Sequence, residues 1–279
     1  MTDSTPRTLS GRTILMSGGS RGIGLAIAVR AAQDGANVAL LAKTEKPHPK
    51  LEGTIHTAAA AIEEAGGQAL PIVGDVRDEA SVAEAVARTA ERFGGIDIVV
   101  NNASAIDLSK TPDLAMKKYD LMQDINTRGS FLLAKTALPH LGQSGAAHIL
   151  TLSPPLNLNP QWAGKHLGYT IAKYGMSLVT LGLAEELRGQ GIAANSLWPR
   201  TTIATAAVRN LLGGEEVVAR SRTPEIMADA AHEILTRDPR ECTGNFFIDD
   251  EVLAEAGVTD FSRYGGPVET LERDIFLDG

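Results

Sequence analysis

The chain has 279 residues, a formal net charge of -8 at pH 7 and a hydrophobic content of 43%. This length accommodates one large α/β domain and does not require a second. The acidic balance disfavours nucleic acid and anionic membranes as partners, because like charges repel at long range. No apolar run approaches the roughly 18 residues of a membrane span, and the single cysteine, Cys242, excludes an internal disulfide. We therefore expect a cytoplasmic protein with a small-molecule partner, no nucleic-acid partner and no membrane span.

Residues 13–33 hold the strongest local pattern, a short apolar run that leads through a glycine-rich turn into a helical sequence. Gly18, Gly22 and Gly24 give the spacing GxxxGxG, which differs from the GxGxxG of the usual dinucleotide fingerprint. N–H groups at a helix start attract anions, so the diphosphate of a cofactor would fit here. A tight turn that only lets the helix pack closely on the strand explains the same glycines, and this motif alone leaves both interpretations open.

Residues 37–42 form an almost wholly apolar run that predicts a second strand buried on both faces. In dinucleotide-binding folds an acidic residue at the end of this strand binds the adenosine ribose. Here that position holds Lys43, which together with Arg21 would meet the additional phosphate of NADP. We therefore expect NADP rather than NAD. The alternative is that Lys43 is a solvated charge and that Glu45 serves the ribose.

Residues 68–74 predict a third strand with Pro71 inside it. Proline cannot donate to a strand ladder, so it belongs at a sheet edge. A doubly wound sheet with the order 3-2-1-4-5-6 places its third strand at that edge. Asp75 follows, and we expect it either to accept a hydrogen bond from the adenine amino group or to form a local ion pair with Arg77.

The rest of the chain continues the alternation of helix and strand. Asn101, at the end of the fourth strand, is expected to hold the central sheet together through backbone hydrogen bonds. We expect one domain over residues 1–279, with loose order at 1–10, a substrate lid at 199–223 and a C-terminal extension at 249–279. Further predicted helices are 54–66, 81–93, 113–125, 127–141, 169–188 and 223–235, and further predicted strands are 96–100, 147–153, 192–198 and 243–248.

Tyr169 and Lys173 lie one turn apart on a predicted helix and therefore share a face. An ammonium group about 4 Å from a phenol favours the phenolate by about 4 kcal/mol at a dielectric of about 20. Lys173 would thus lower the pKa of Tyr169 from about 10 toward neutrality, where a tyrosine can exchange a proton with an oxygen atom. Ser153 falls at the carboxyl end of the fifth predicted strand, where ligands bind in parallel sheets. Taken singly, each residue could equally serve packing or lie at the surface.

Five motifs together resemble the classical short-chain dehydrogenase/reductase family: SGGSRGIG at 17–24, NNAS at 101–104, Asn126, Ser153 and YTIAK at 169–173. The resemblance implies a single Rossmann domain, which is an α/β fold with a doubly wound parallel sheet. About seven strands would lie in the order 3-2-1-4-5-6-7 with helices on both faces. The implied catalytic tetrad is Asn126, Ser153, Tyr169 and Lys173.

Roles for these residues follow from the same resemblance. Ser153 would polarise the substrate oxygen, and Asn126 would hold a water that links Lys173 to solvent. NADP is the implied cofactor, with NAD less favoured. The implied cofactor contacts are Gly18, Ser20, Arg21, Gly22, Ile23, Gly24, Lys43, Asp75, Val76, Asn102, Tyr169, Lys173, Pro199 and Thr202.

The expected function is an NADP-dependent oxidoreductase that interconverts a carbonyl and an alcohol by hydride transfer, with Tyr169 as general acid/base. The alternatives are a non-catalytic NADP-binding sensor or scaffold, and a lyase or epimerase on the same fold. Arg200 stands where the family usually has glycine, and with Arg222 it would suit an anionic substrate such as an acyl thioester or another lipid-like compound. The candidate pocket residues are Leu156, Leu158, Trp162, Ala206, Ala207 and Leu211, for which ordinary core packing is an equal alternative.

Helices 127–141 and 169–188 carry apolar residues around much of their circumference, including Phe131 and Leu181. Either the core or a second subunit must bury them, and the family resemblance favours a homodimer or homotetramer. We expect no metal site, since no two histidines share a ligand-like spacing. The string LTLSPPLNLNPQW at 150–162 resembles one branch of the family whose members also carry a sterol-carrier domain, and this sequence matches only their dehydrogenase part.

Overall fold

One seven-stranded parallel sheet organises the chain, and its strands lie in the order 3-2-1-4-5-6-7. The computed structural model describes residues 7–47, 52–211 and 213–278. The order confirms the predicted doubly wound arrangement. The strands are β1 Thr13–Ser17, β2 Asn37–Ala42, β3 Gln68–Val73, β4 Ile98–Asn101, β5 His148–Thr151, β6 Ala193–Trp198 and β7 Phe246–Ile248.

Helices cover both faces of this sheet and close two hydrophobic cores against it. One core joins the sheet to the first, second and tenth helices, and the other joins it to the third, fifth and seventh. The helices are α1 Gly22–Gln33, α2 Ile55–Glu64, α3 Glu79–Phe93, α4 Met116–Met122, α5 Gly129–Leu141, α6 Pro160–Lys165, α7 Leu167–Glu186, α8 Ala206–Leu211, α9 Gly214–Ala219, α10 Glu225–Leu235 and α11 Asp249–Glu255.

Strand β1 shows how the apolar runs of the sequence build the centre of the sheet. Successive side chains of a strand point to opposite faces, so Ile14 and Met16 enter one core and Leu15 enters the other. All five residues of β1 are buried between β2 and β4. The glycine turn therefore begins at the carboxyl edge of the sheet.

Strand β3 lies at the edge of the sheet, as the proline within it predicted. Pro71 is paired in register with Leu40 of β2, and the opposite side of β3 has no strand among the described residues. An edge strand tolerates the missing donor of proline. The predicted topology and the sequence signal agree at this point.

A π-helical turn, Gln123–Arg128, replaces the predicted break between two helices near Asn126. The backbone stays helical from α4 through this turn into α5. A π turn adds one residue without ending the helix, and such turns are frequent at functional sites. The position of the irregularity was therefore predicted correctly, but its nature was not.

The chain ends and the predicted lid also differ in part from expectation. Residues 1–6 lie outside the described ranges. Leu9 is buried and its N–H donates to Asp34 at 2.8 Å, so the second half of the segment that was expected to be loosely ordered is held against the core. The 199–223 segment contains two short helices, α8 and α9, and is not wholly irregular. Within the described residues, no helix is long and apolar enough to cross a membrane.

Candidate active site

The glycine turn after β1 is shaped by its contact with Asn102, which follows β4. A Cβ on Gly18 would lie 2.6 Å from Asn102 Nδ2, and Gly18 has a φ of 79°, which favours glycine. Asn102 Nδ2 donates to the Ser17 carbonyl at 3.2 Å, and its backbone N–H donates to Ser17 Oγ at 3.2 Å. Close packing therefore explains part of the glycine pattern.

Asn101 was expected to make the sheet-holding bond to the backbone, and this prediction is wrong. Its side chain donates instead to Thr151 Oγ1 at 3.3 Å, within the adjacent strand β5. Asn101 is still part of β4, whereas Asn102 lies one residue beyond it and reaches the end of β1.

The start of α1 presents unpaired backbone donors beside the glycine turn. Its N-cap residue, Arg21, makes no side-chain capping bond, and the first bond along the helix runs from Leu25 N–H to the Arg21 carbonyl at 3.3 Å. The N–H groups of residues 22–24 therefore have no partner within the helix. A cavity of about 610 Å³, lined partly by Gly22 and Thr205, borders this turn. The free donors and the helix dipole at this turn fit the diphosphate of a dinucleotide.

Lys43 and Asp75 form an ion pair at the carboxyl ends of β2 and β3, with 2.6 Å between Lys43 Nζ and Asp75 Oδ2. Arg77 also binds this carboxylate, at 2.7 Å from Nη2. Burial alone would raise the pKa of Asp75, but the hydrogen bonds from Arg77 and Lys43 outweigh it and hold that pKa well below its usual range. Of the two interpretations of Asp75, the structure contains the local ion pair. The Lys43 side chain is 50% exposed and remains accessible to a ligand.

Arg21 does not join Lys43 in this arrangement. Its guanidinium donates to the carbonyls of Glu52 and Gly53 at 2.9 and 2.8 Å. Val76 is buried and contacts the backbone region of Gly129. The two basic residues that the sequence assigned to one phosphate thus have separate partners.

Asn126 lies in the π turn and fixes the loop that follows β4. Its Oδ1 accepts from the Ala105 N–H at 2.7 Å, and its Nδ2 donates to the Ala105 carbonyl at 3.0 Å. The buried amide therefore positions the segment that carries Ser104. The water predicted for Asn126 stays a prediction.

Ser153 lies in a closed interior position and does not face an open site. Its side chain is fully buried, and its Oγ is 2.8 Å from Ser196 Oγ, which bonds Thr180 Oγ1 at 3.0 Å. These hydroxyls link the end of β5 to β6 and α7. The predicted contact between Ser153 and a substrate stays a prediction. The bond to Ser196 was not foreseen, because Ser196 is 43 residues away in sequence.

Tyr169 is 5% exposed in α7, and its ring stacks on that of Phe276 at 6.1 Å between centroids. Burial raises the pKa of Tyr169, the Asp274 carboxyl raises it further, and a hydrogen bond with Ser104 lowers it. The expected lowering by Lys173 is thus wrong for this arrangement, since desolvation of the phenolate dominates.

Lys173 lies in the same buried region and is 4% exposed. Its Nζ donates to the Leu152 carbonyl at 2.8 Å and lies 5.1 Å above the Trp198 ring. Burial lowers the pKa of Lys173 to about 7, while Asp274 acts in the opposite direction. The ammonium group is therefore stabilised by a carbonyl and an aromatic ring at the carboxyl edge of the sheet.

Arg200 and Arg222 are not available for an anionic substrate. Arg200 Nε is 2.7 Å from Asp250 Oδ2, and Arg200 also pairs with Glu251. Arg222 is 3% exposed and lies 5.2 Å from the Phe261 ring centroid. The predicted recognition of an acyl thioester by these two residues is therefore unsupported, because their charges are neutralised or enclosed within the protein.

The remaining predicted contacts are distributed around the site. Pro199 and Thr202 follow β6, and Thr202 Oγ1 is 2.8 Å from Ser221 Oγ. Leu158 is 86% exposed and does not line a pocket, whereas Trp162 packs against Phe276. The C-terminal residues beside Tyr169 were missed, because the sequence from 249 onward has no periodic pattern.

Residues 12–216 match the model of the short chain dehydrogenase family, so the chain belongs to this family. Proteins of this family bind NAD(P). The chain is 57% identical to hydroxysteroid dehydrogenase-like protein 2 of Danio rerio over 97% of its own length, but it spans 65% of that relative. This similarity confirms the branch indicated by the longer strings.

Solved structures agree with this relationship. A structure from Xanthomonas campestris is 59% identical, with a TM-score of 0.94 over 98% of this chain and 100% of that one. A short chain dehydrogenase of Mycobacterium thermoresistibile is 57% identical, with a TM-score of 0.92 over 97% of this chain and 96% of that one.

Proposed function

We propose that the protein interconverts a carbonyl compound and an alcohol with NADP, and that Tyr169 is the general acid/base. The observation that carries this proposal is the burial of Tyr169 and Lys173 together on α7. Lys173 reaches the Leu152 carbonyl just beyond β5, so the pair lies at the carboxyl edge of the sheet. The donor-rich glycine turn opens at the same edge.

Bound NADP would supply or accept the hydride. The turn residues would bind its diphosphate through their N–H groups, and Lys43 would meet its additional phosphate. A buried phenol is protonated near neutral pH, so Tyr169 is suited to donate its proton to a carbonyl oxygen in the direction of reduction. In the direction of oxidation Tyr169 must lose that proton, and the protonated form of Lys173 favours this loss by its charge.

Replacement of Tyr169 by Phe tests the assignment. We expect at least a hundredfold loss of kcat, because general acid–base catalysis contributes about 10²–10⁴-fold. NADP affinity should stay nearly unchanged, as measured by NADPH fluorescence. Tyr119→Phe, on α4, is the control for loss of a phenol as such. Full turnover of ketones and aldehydes by Tyr169→Phe would refute the role of this residue.

Replacement of Lys43 by Ala tests the cofactor preference. A charge-assisted hydrogen bond contributes about 1.5–3 kcal/mol, so NADP should bind roughly 10- to 150-fold more weakly while NAD binding changes little. The exposed Lys46→Ala serves as the control. Dissociation constants for both cofactors from fluorescence titration give the result, and tighter binding of NAD than NADP by the unaltered protein would contradict the proposal.

We also infer self-association into a homodimer or homotetramer. The support is a set of exposed large apolar side chains on α5 and α7, which water would otherwise surround. The cytoplasmic location expected from the composition stays a prediction. The exposed side chains of this face are Phe131, Ile171, Leu178 and Leu181.

A further inference from the structure

Residues 271–278, here called the strap, cross the carboxyl edge of the sheet and cover Tyr169. The strap first runs beside the segment after β6, where Thr202 N–H donates to the Glu272 carbonyl at 2.9 Å. Asp274 N–H then donates to the Arg200 carbonyl at 3.0 Å. These bonds attach the first half of the strap to the scaffold through its backbone.

Phe276 is the centre of an aromatic cluster at the catalytic tyrosine. Its side chain is 1% exposed, and its ring contacts four other aromatic rings at centroid distances of 5.3 to 6.3 Å. One face of the Tyr169 ring is stacked on it. The four rings around Phe276 belong to Trp162, Tyr169, Tyr174 and Trp198.

The far end of the strap is held by one carboxylate. Asp278 accepts hydrogen bonds from four side chains of the segment between β5 and α7, at distances of 2.9 to 3.3 Å. This carboxylate is at the surface, so water competes for all four donors. The donors are Asn157 Nδ2, Asn159 Nδ2, Gln161 Nε2 and Trp162 Nε1.

The backbone of Phe276 is strained in this position. Its φ is 75°, and it is the only non-glycine residue with positive φ among the described residues. For a bulky side chain this region is unfavourable, and such strain persists where the surroundings impose it. The closed strap therefore has a strained backbone at Phe276 and is held at its far end by the solvent-exposed hydrogen bonds of Asp278.

A general acid must touch the oxygen that it protonates, yet Tyr169 is covered by Phe276. We propose that the pocket filled by Phe276 is the subsite for an apolar, ring-sized group attached to the reacting carbonyl carbon, and that this group displaces Phe276 when the substrate binds. Aromatic walls suit a flat apolar group. This inference rests on the proposed function and names the substrate class of the same site.

The two tryptophans of the chain make the displacement measurable, because both contact Phe276 and both donate an indole N–H to the strap. The probes are 4-phenylbutan-2-one and butan-2-one, which differ only by the phenyl group. In the unaltered protein, the phenyl ketone should shift tryptophan emission and increase its quenching by acrylamide, and butan-2-one should have a smaller effect on both. Asp278→Ala should increase quenching without any ligand.

Phe276→Ala should lower KM for 4-phenylbutan-2-one about tenfold, since the competing occupant is gone. Butan-2-one must reach the Tyr169 hydroxyl but leaves the ring pocket empty, so its KM should fall less. Phe276→Leu gives an intermediate result and replaces the alanine variant if that variant does not fold. Phe93→Ala, at a half-buried position of α3 that packs against the core, is the matched control and should leave the ratio of the two KM values unchanged.

An unchanged or higher KM for the phenyl ketone in Phe276→Ala would show that Phe276 is a fixed wall, and would overturn the proposal. A missing emission response would do the same. If Tyr169→Phe retains the emission response and no variant turns over either ketone, the subsite stands and the enzymatic assignment fails. If the unaltered protein turns over both ketones but tryptophan emission does not respond to the phenyl ketone, the enzymatic assignment stands and the subsite fails.

Discussion

Ser104 lies at the surface beside Tyr169, whereas Ser153 lies in a buried chain of hydroxyls. The exposure of Ser104 makes its hydroxyl a second candidate, beside the predicted Ser153, for assisting Tyr169 on the substrate oxygen. Asn126 supports this placement by fixing the adjacent Ala105 backbone. Sequence motifs identified Tyr169 and Lys173 because both lie on one helix. They could not show which serine is enclosed, since that depends on β6.

Ser104→Ala and Ser153→Ala separate these two roles. Removal of one hydrogen-bond donor to a reacting oxygen costs about 10²–10³ in kcat, and we expect a loss of that order for Ser104→Ala. Ser153→Ala should change kcat little and lower the free energy of unfolding by about 1 kcal/mol through the lost buried bond. Steady-state kinetics and urea unfolding provide the measurements, with Ser104→Thr as the variant that retains a hydroxyl. The reverse ranking of the two kcat values would restore Ser153 to the role that the sequence gave it.

At the scale of elements, the sequence predicts the strands well and the connections poorly. Strands β1 and β2 are buried on both faces, so their apolar runs mark their ends without ambiguity. The π turn at Asn126 keeps helical backbone angles, and no residue pattern distinguishes it from a break. The start of α11 carries a further feature that the sequence does not show, a fully buried carboxyl group on Asp249.

The buried carboxyl group of Asp249 is expected to make the free energy of unfolding depend on pH. Burial raises its pKa to about 7, although the N–H groups of Arg200 and Asp250 donate to it. The folded protein binds this proton more tightly than the unfolded chain, whose carboxyl pKa is about 4. The resulting stabilisation is complete below pH 4 and is lost as the pH rises to 7. Each pKa unit corresponds to about 1.4 kcal/mol, so the loss is at most about 4 kcal/mol.

Asp249→Asn mimics the protonated carboxyl and should not show this loss. The difference in unfolding free energy between variant and unaltered protein should therefore grow in favour of the variant from pH 4 to pH 7 and then level off. Guanidinium unfolding at pH 4, 5.5, 7 and 8.5 measures it. A difference that is constant across this range would mean that Asp249 is already ionised in the folded protein.

For the whole molecule, the family motifs predicted the strand order, and the structure confirms it. The strap could not be predicted, because its partners on α6 and α7 lie about a hundred residues earlier in the chain. Contacts of that separation leave no local pattern in either segment. The apolar face of α5 and α7 is also a property of the whole molecule, since only assembly would bury it.

Leu181→Glu tests assembly through that face. A charge in an apolar contact is strongly unfavourable, so we expect the mutant to have a smaller molar mass than the unaltered dimer or tetramer in size-exclusion chromatography with light scattering. Leu158→Glu, at a residue that is 86% exposed elsewhere on the surface, is the control. Monomers for the unaltered protein, or equal masses for both variants, would contradict the inferred assembly.

The strap also relates the active site to the order of synthesis. Tyr169 and all seven strands precede residue 271, so a nascent chain can complete the sheet before residues 271–278 have left the ribosome. Until then the strap does not bury the tyrosine and its aromatic neighbours, and they present an exposed apolar surface to chaperones and to other nascent chains. Emergence of residues 271–278 from the ribosome therefore closes this surface, and proteolytic removal of these residues would reopen it in a molecule whose sheet remains intact.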